Sequence, residues 1–383
     1  MRANVHSLKH PAPPRTATRA AGGLHIPSLD GIRAIAALIV FVSHAGLENV
    51  VPGAFGVTIF FFLSGYLITT LLRQEYEQTG AIGLSRFYLR RVCRIIPPLY
   101  IVLILLLLPV GWAETHSRPP ASAVAAQFAQ LTNYYVVLRG SRQLVPDTLA
   151  TWSLAVEEHF YLLYPLLLVG LLRFFDYRRV ALALVAICVT VLAWRCWLIY
   201  GLHVAYNYTF YATDSRVDSL LYGCLMALAF NPAFDQRLRD LSTAAWSVIL
   251  VLAGGLLAFT FLDRSEAFRA TWRYSIQGIA LMPIFFTAVS KNFWPVYRWL
   301  ETRPLRYLGL ISYTFYLVHE RALHLASRYV PGAKSVQGLV AFAGTVAFAS
   351  AMYYLVERHL AVVRRRLHSF LRVPATGAAP AGP

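Results

Sequence analysis

The chain has 383 residues, of which 57% are hydrophobic and 14% are charged, and its mean hydropathy is +0.53. Soluble domains contain about 25% charged residues, so this composition excludes an ordinary soluble fold and indicates a polytopic membrane protein. The net charge is +17. Lys and Arg collect in short clusters between apolar segments, which is typical of membrane topology, and we expect no nucleic-acid partner.

Ten apolar segments are long enough to cross about 30 Å of hydrocarbon as helices. We therefore predict an all-α membrane bundle of about ten transmembrane helices over residues 27–360, between a flexible cytosolic tail (1–26) and a basic, then Pro/Ala/Gly-rich cytosolic tail (361–383). The ten segments are 30–47, 53–72, 95–112, 151–172, 178–200, 214–230, 244–262, 274–290, 304–327 and 335–357. Residues 121–138 form a further uncharged stretch that could be interfacial or re-entrant.

Most of the 35 Lys and Arg residues lie in the tails and in the loops on the same side of the predicted bundle as the tails. Because basic loops are retained in the cytosol, this bias predicts that both termini are cytosolic.

The first segment carries two ionisable residues, Arg33 and His44. Eleven helical positions return to within roughly 20° of the same face and span about 16 Å, so both side chains share one stripe. Ionisable groups in hydrocarbon are costly unless they face a cavity or a partner. His44 could take a proton from a hydroxyl at neutral pH, or it could simply hydrogen-bond a neighbouring helix.

Three arginines, Arg90, Arg91 and Arg94, fall within about one helical turn at the predicted cytosolic face. Guanidinium groups bind phosphates in a bidentate manner, so the cluster could hold a ligand with several phosphates. It could equally be a topological anchor.

Polar residues also recur along later segments. Ser153, Glu157 and Tyr161 form a stripe on the fourth segment, which favours Glu157 as the inward carboxylate and leaves Glu158 to pair with a neighbouring helix. The same cavity could be lined by Arg216, Asp218, Ser312, Tyr316 and His319, although each could instead make an interhelical bond. His319 and His324 are five positions apart and about 140° apart on a helix, so they cannot share one ion, and we expect no metal site.

Several motifs in order resemble those of acyltransferase family 3, the membrane O-acyltransferases that modify bacterial polysaccharides, lipopolysaccharide, glycolipids and some antibiotics. They are Leu29–Arg33 with His44, the family's Arg-x10-His; Phe60–Tyr66; the arginine cluster running into Pro97; Trp152–Leu154 with Glu157; Arg216–Asp218 with Gly223; Leu308–Gly309 with Ile311–Tyr313; and Tyr354 with Glu357.

The resemblance implies an O-acyltransferase of the bacterial cytoplasmic membrane in which Arg33 and His44 are essential and Arg90, Arg91 and Arg94 bind acyl-CoA. Acyl-CoA, most simply acetyl-CoA, is then a co-substrate rather than a bound cofactor. The acceptor is a carbohydrate or glycoside. We expect His44 to be the general base, Arg33 to hold the donor or stabilise negative charge, and Glu157 to orient His44 or the acceptor.

Two alternatives are open on the sequence alone. One is acylation of a macrolide or another antibiotic sugar in place of a surface polysaccharide. The other, from a different class, is a transporter of a glycan or lipid intermediate, because polar stripes in a helix bundle also suit a permeation path.

Overall fold

A computed structural model of the chain describes residues 18–20, 23–107, 119–235, 238 and 240–362. Most of both predicted tails (1–26 and 361–383) lies outside these ranges. Within them the chain is helical apart from one antiparallel pair of short strands, β1 (Thr18–Ala20) and β2 (Gly23–His25). The prediction of a helical bundle is confirmed.

The long helices and their short connecting helices follow one another along the chain. They are α1 (Pro27–Val42), α2 (Gly53–Thr79), α3 (Leu84–Leu105), α4 (Ala121–Phe128), α5 (Thr132–Arg139), α6 (Thr151–Leu172), α7 (Tyr177–Cys196), α8 (Tyr206–Tyr211), α9 (Thr213–Ala229), α10 (Thr243–Leu262), α11 (Glu266–Ala270), α12 (Trp272–Ser290), α13 (Pro295–Arg298), α14 (Arg303–Tyr329) and α15 (Lys334–Met352). Turns of π-helix extend α1, α7 and α15 over Ser43–Leu47, Trp197–Gly201 and Tyr353–Glu357, and short 3₁₀ turns cover Ser141–Gln143 and Trp299–Glu301.

The described part of the chain contains fewer candidate membrane spans than the ten that the sequence predicts. In the described part of the chain, six helical stretches are long and apolar enough to cross a membrane: Pro27–Leu47, Gly53–Thr79, Thr151–Leu172, Tyr177–Gly201, Thr243–Leu262 and Lys334–Val362. The bent pair Trp272–Ser290 and Pro295–Glu301, which meet at 86°, gives a seventh if it is one span. About ten spans are therefore not confirmed.

The remaining predicted spans fall on helices of a different character. α9 has only 17 residues and is buried almost throughout, while α3 opens with arginines and α14 carries charges along its length. Residues 108–112, at the end of the predicted span 95–112, lie outside the described residues. The uncharged stretch 121–138 contains α4 and most of α5, each of eight residues, which at 1.5 Å per residue is too short to span a membrane.

The centre of the bundle is built on close helix crossings at glycine. A Cβ on Gly65 of α2 would overlap the carbonyl oxygen of Leu220 on α9, and one on Gly223 would overlap that of Phe62. Gly309 of α14 approaches the carbonyl of Asp30 on α1 in the same way. These contacts explain why the family-like motifs contain glycine, since only a residue without a side chain lets two backbones approach so closely.

Candidate active site

The first segment does not continue as a regular α-helix up to its C-terminal end. The π turn Ser43–Leu47 follows α1, and within it Gly46 has a φ of 101°, a left-handed conformation that suits glycine. Ser43 is buried, whereas His44 leaves 42% of its side chain exposed. The turn therefore presents the His44 imidazole at an accessible surface of the bundle end.

His44 meets a second histidine, His319 of α14. The His44 Nδ1 atom lies 2.8 Å from the His319 Nε2 atom, and the two rings are stacked with centroids 5.0 Å apart. His319 is only 1% exposed. A buried imidazole thus supports an exposed one.

The direction of this hydrogen bond follows from the next partner in line. The His319 Nδ1 atom lies 2.6 Å from the backbone carbonyl oxygen of Tyr316, which can only accept, so Nδ1 carries the proton. A neutral His319 then offers a lone pair at Nε2, and His44 donates to it from its own Nδ1. This arrangement leaves the His44 Nε2 atom with a lone pair and no proton, the form in which an imidazole acts as a base.

A carboxylate completes the cluster. The Glu320 Oε1 atom lies 3.9 Å from the His44 Nδ1 atom, and the Glu320 Oε2 atom accepts from the backbone N–H of Ala150 at 3.4 Å. Two predicted cavity residues, Ser153 and Tyr316, hydrogen-bond each other at 2.8 Å through their side-chain oxygens. We name His44, His319 and Glu320 the outer cluster.

The loop before α6 is linked by polar contacts to α14, the helix that carries His319. Asp147 has a φ of 60°, unusual for a residue with a side chain. Its carboxylate accepts from Arg321 Nη1 at 2.9 Å and lies 2.9 Å from the Nδ1 atom of His324. His324 therefore faces this loop and not His319, as the helical spacing predicted. Nothing in the sequence pattern singled out Asp147.

The predicted residues Arg33, Arg91, Glu157 and Tyr161 come together elsewhere, nearer the start of α1. Glu157 accepts hydrogen bonds from Tyr161 at 2.5 Å and from Ser64 at 3.0 Å. The Arg91 guanidinium lies over the Tyr161 ring, 5.0 Å from its centroid. We name these four predicted residues the inner cluster. We expected Glu157 to orient His44 or the acceptor; in the structure the hydrogen bond to His44 is made by His319.

The charges of the inner cluster interact over a short range. Arg33 pairs with Asp30 at 2.8 Å and lies within electrostatic range of Arg94 and Tyr161. Arg91 lies within range of Arg94 and of both Glu157 and Glu158. The inner cluster is thus a mixed site of guanidinium and carboxylate groups.

The three arginines predicted to bind the donor do not share one environment. Arg90 pairs with Glu75 of α2 at 3.3 Å, and Arg86 pairs with the same carboxylate at 3.1 Å. Arg94 is exposed, while Arg91 is partly buried against Tyr161. Arg90 thus links α3 to α2, whereas Arg91 and Arg94 face the inner cluster.

Arg216 and Asp218 belong to separate buried arrangements. Asp218 holds Arg195 of α7 in a bidentate salt bridge at 2.7 and 2.9 Å, and both side chains are fully buried. The Arg216 guanidinium lies 3.8 Å from the centre of the Tyr274 ring, and its Nε and Nη2 atoms have no hydrogen-bond partner among the described residues.

Rings of Phe61, Trp152 and Phe210 also surround Arg216, so cation–π attraction compensates its burial. Ser312, another predicted cavity residue, donates to the carbonyl oxygen of Gly309 in its own helix. Asp218 thus links α9 to α7, whereas Ser312 bonds within α14, and the sequence did not indicate Arg195 as the partner of Asp218.

The residues of these clusters occur in the same order along the chain as the motifs compared above, and this order indicates the class of protein. The chain belongs to acyltransferase family 3: the profile described as an acyltransferase domain matches residues 26–354. The resemblance found in the motifs is thereby confirmed.

Similar curated proteins carry related names. The chain is 29% identical over 308 residues to the peptidoglycan O-acetyltransferase OatA of Listeria monocytogenes, a match that covers 77% of this chain and 49% of the relative. It is 27% identical over 313 residues to the O-acetyltransferase OatA of Staphylococcus aureus, covering 80% and 52% respectively. A putative O-acetyltransferase of Staphylococcus aureus is 28% identical over 355 residues, covering 87% and 57%.

The chain thus spans about half the length of these curated relatives. No solved structure matches it.

Proposed function

We propose that the protein transfers an acyl group, most simply acetyl, from acyl-CoA to a hydroxyl group of a sugar in a cell-envelope polysaccharide. The single observation that carries the proposal is the hydrogen-bond chain from the Tyr316 carbonyl through His319 to His44, which leaves the His44 Nε2 atom free to accept a proton. The names of the relatives, which specify O-acetyl transfer and in one case peptidoglycan, support the type of reaction and of acceptor.

In this mechanism the His44 Nε2 atom removes the proton from the acceptor hydroxyl as its oxygen attacks the thioester carbonyl. The C–S bond then breaks, and the proton on His44 passes to the departing CoA thiolate. The Nδ1–H of His44 stays bonded to His319, and the Glu320 carboxylate 3.9 Å away stabilises the imidazolium that forms. No covalent enzyme intermediate is needed.

The inner cluster would receive the donor. Its guanidinium groups Arg33 and Arg91, with the exposed Arg94 beside them, suit the phosphates of CoA better than the hydroxyl groups of a neutral sugar. Arg33 and His44 lie on the same helix about 16 Å apart. The extended arm of CoA would bridge this interval and bring the thioester to His44.

The distribution of Lys and Arg supports a cytoplasmic membrane location with both termini inside, so that the inner cluster faces the cytosolic supply of acyl-CoA. Family membership favours group transfer over transport of a glycan or lipid intermediate. The names of the relatives favour a polysaccharide acceptor over an antibiotic sugar.

The test is acyl transfer by the purified full chain in detergent, with radiolabelled acetyl-CoA and soluble peptidoglycan fragments. Replacing His44 by Ala should lower turnover by about 10²–10⁴, the usual contribution of a general base. His203→Ala, which removes an exposed loop histidine, is the matched control. Near-normal turnover by His44→Ala would refute the mechanism, and failure of the wild type to release CoA with any sugar acceptor would refute the function.

A further inference from the structure

The outer cluster has a second property that the transfer reaction does not use. We propose that His44, His319 and Glu320 form a binding site for a divalent transition-metal ion, best suited to Zn²⁺, and that the bound ion switches the transferase off. The inhibitory part of this inference rests on the proposed function, whereas the binding part does not.

The donor set and its geometry suit zinc. Each of the three side chains offers one ligand atom, and these atoms all lie within 4.8 Å of one another. Two imidazole nitrogens and one carboxylate oxygen are a common set of protein ligands in catalytic zinc sites, where the fourth position stays open. Hard cations such as Mg²⁺ prefer sites made only of oxygen, so the two histidines favour zinc.

Only small movements separate the present arrangement from a loaded site. The two nitrogens are 2.8 Å apart as hydrogen-bond partners, and two nitrogen ligands on one tetrahedral zinc ion lie about 3.3 Å apart, given zinc–nitrogen bonds of about 2.0–2.1 Å. The Glu320 oxygen, at 3.9 Å from His44 Nδ1, must approach slightly. His44 lies in the exposed π turn and has the freedom to adjust.

The surrounding groups already orient the two ligands from α14 in the way that is usual for metal ligands in proteins. Metal-binding histidines usually donate their second N–H to a backbone carbonyl or a carboxylate, which fixes the tautomer. His319 does so to the Tyr316 carbonyl at 2.6 Å, and its Nε2 lone pair therefore points at the site. The second oxygen of Glu320 accepts from the Ala150 N–H, so both ligands from α14 are oriented in advance.

Metal binding and base catalysis require opposite tautomers of His44. The free enzyme has a proton on His44 Nδ1 and a lone pair on Nε2. An ion bound at Nδ1 displaces the proton from that nitrogen to solvent, and Nε2 takes up a proton from solvent, so that His44 is neutral but can no longer accept a proton from the acceptor.

The expectation of no metal site came from spacing on one helix. His319 and His324 cannot share an ion, and in the structure His324 is engaged by Asp147. The missing ligand, His44, comes from the π turn that follows α1, which no spacing rule within α14 could reveal.

Binding is tested on the metal-free, detergent-purified full chain by calorimetric titration with ZnCl₂ and by the visible absorption of Co²⁺ added in its place. We expect one Zn²⁺ per chain, a tetrahedral Co²⁺ spectrum, and loss of both in His319→Gln and in Glu320→Gln. His324→Gln and His203→Gln are matched controls that should bind as the wild type does. Absence of binding, or binding unchanged in His319→Gln and Glu320→Gln, overturns the site.

Inhibition is tested in the acetyl-transfer assay with the same preparations. We expect Zn²⁺ to abolish transfer over the concentration range in which it binds, EDTA to restore it, and Mg²⁺ to have no effect. A rate that rises with Zn²⁺ would overturn the inhibitory role. Binding that depends on His319 and Glu320 in a protein that transfers nothing would uphold the site and refute the proposed function.

Discussion

The imidazole rings of His44 and His319, from residues 275 positions apart in the chain, stack with a hydrogen bond of 2.8 Å between them. Their helices are held together below this pair by the rings of Phe41 and Phe315, whose centroids are 5.6 Å apart. Further along, Gly309 lets α14 approach the backbone of α1. Packing along the α1–α14 contact therefore brings together the two segments that carry the histidines.

His319 is expected to act as a positioning residue for His44. His319→Gln keeps a side-chain oxygen that can accept from His44 Nδ1, whereas His319→Leu leaves that N–H without its partner. Loss of the group that orients a functional histidine through a hydrogen bond typically costs about 10–100-fold in activity. We therefore expect His319→Leu to lower kcat by roughly this factor with the KM for acyl-CoA unchanged, and His319→Gln to recover part of the loss in steady-state assays.

A purely structural role for His319 predicts a different result. Both variants would then lose activity in proportion to their loss of folded protein, as measured by size-exclusion chromatography and thermal unfolding. Equal kcat values in His319→Gln and His319→Leu would also contradict the positioning role.

Arg91 and Arg90 provide a matched test of donor binding. Arg91 faces the inner cluster, whereas Arg90 is paired with Glu75 at 3.3 Å. A charged hydrogen bond contributes about 1.5–3 kcal/mol, so Arg91→Gln should raise the KM for acyl-CoA roughly 10- to 100-fold. Arg90→Gln should change it little, because such partly exposed pairs contribute about 0–1 kcal/mol. Equal KM values in the two variants would show that Arg91 does not bind the donor.

The close crossing of α2 and α9 predicts a strong effect of one methyl group. Gly65→Ala places a Cβ against the carbonyl oxygen of Leu220, and overpacking of this kind costs about 1–3 kcal/mol in the free energy of unfolding. Gly254→Ala on α10 is the control, since nothing lies within 4 Å of its added Cβ; there alanine should stabilise the helix by about 0.5–1 kcal/mol. Thermal unfolding in detergent should rank the variants Gly254→Ala, wild type, Gly65→Ala.

The Arg195–Asp218 pair predicts a stability defect away from the outer cluster. Both side chains are fully buried, and removing one partner of a buried pair costs about 3–5 kcal/mol because the other charge loses its partner. Asp218→Asn should therefore lower the unfolding temperature markedly. Asp176→Asn is the control, because Asp176 caps α7 through the Arg179 N–H and asparagine caps equally well. An unchanged unfolding temperature in Asp218→Asn would contradict this account.

Patterns within single helices could be read from the sequence. The Ser153–Glu157–Tyr161 stripe lies inside the bundle, and Glu157 bonds Tyr161 one turn away, as helical spacing predicts. The elements of the fold were also predictable, because apolar length marks helices well. The sequence predicts ten spans, whereas six or seven candidates are found in the described residues, because hydropathy marks a short buried helix such as α9, of 17 residues, as readily as a longer apolar helix.

Contacts between distant parts of the chain could not be read in this way. The partner of His44 lies on α14, and that of Asp218 lies on α7. Several side chains could have filled either role. The motifs favoured Glu157 as the carboxylate that orients His44 or the acceptor, but this carboxylate accepts hydrogen bonds from Ser64 of α2 and from Tyr161. The assignment of partners depends on how helices pack, which one sequence leaves open.

Helix α6 contributes to both clusters: Ser153 supports the outer cluster through Tyr316, and Glu157 and Tyr161, one and two turns further along, belong to the inner cluster. The segment formed by α1 and the π turn that follows it carries Arg33 and His44, which are eleven residues apart. A helix rises by a fixed 1.5 Å per residue, so Arg33 and His44 cannot approach each other without breaking backbone hydrogen bonds. In the proposed mechanism the flexible arm of the donor, and not closure of the protein, therefore covers the distance between Arg33 and His44.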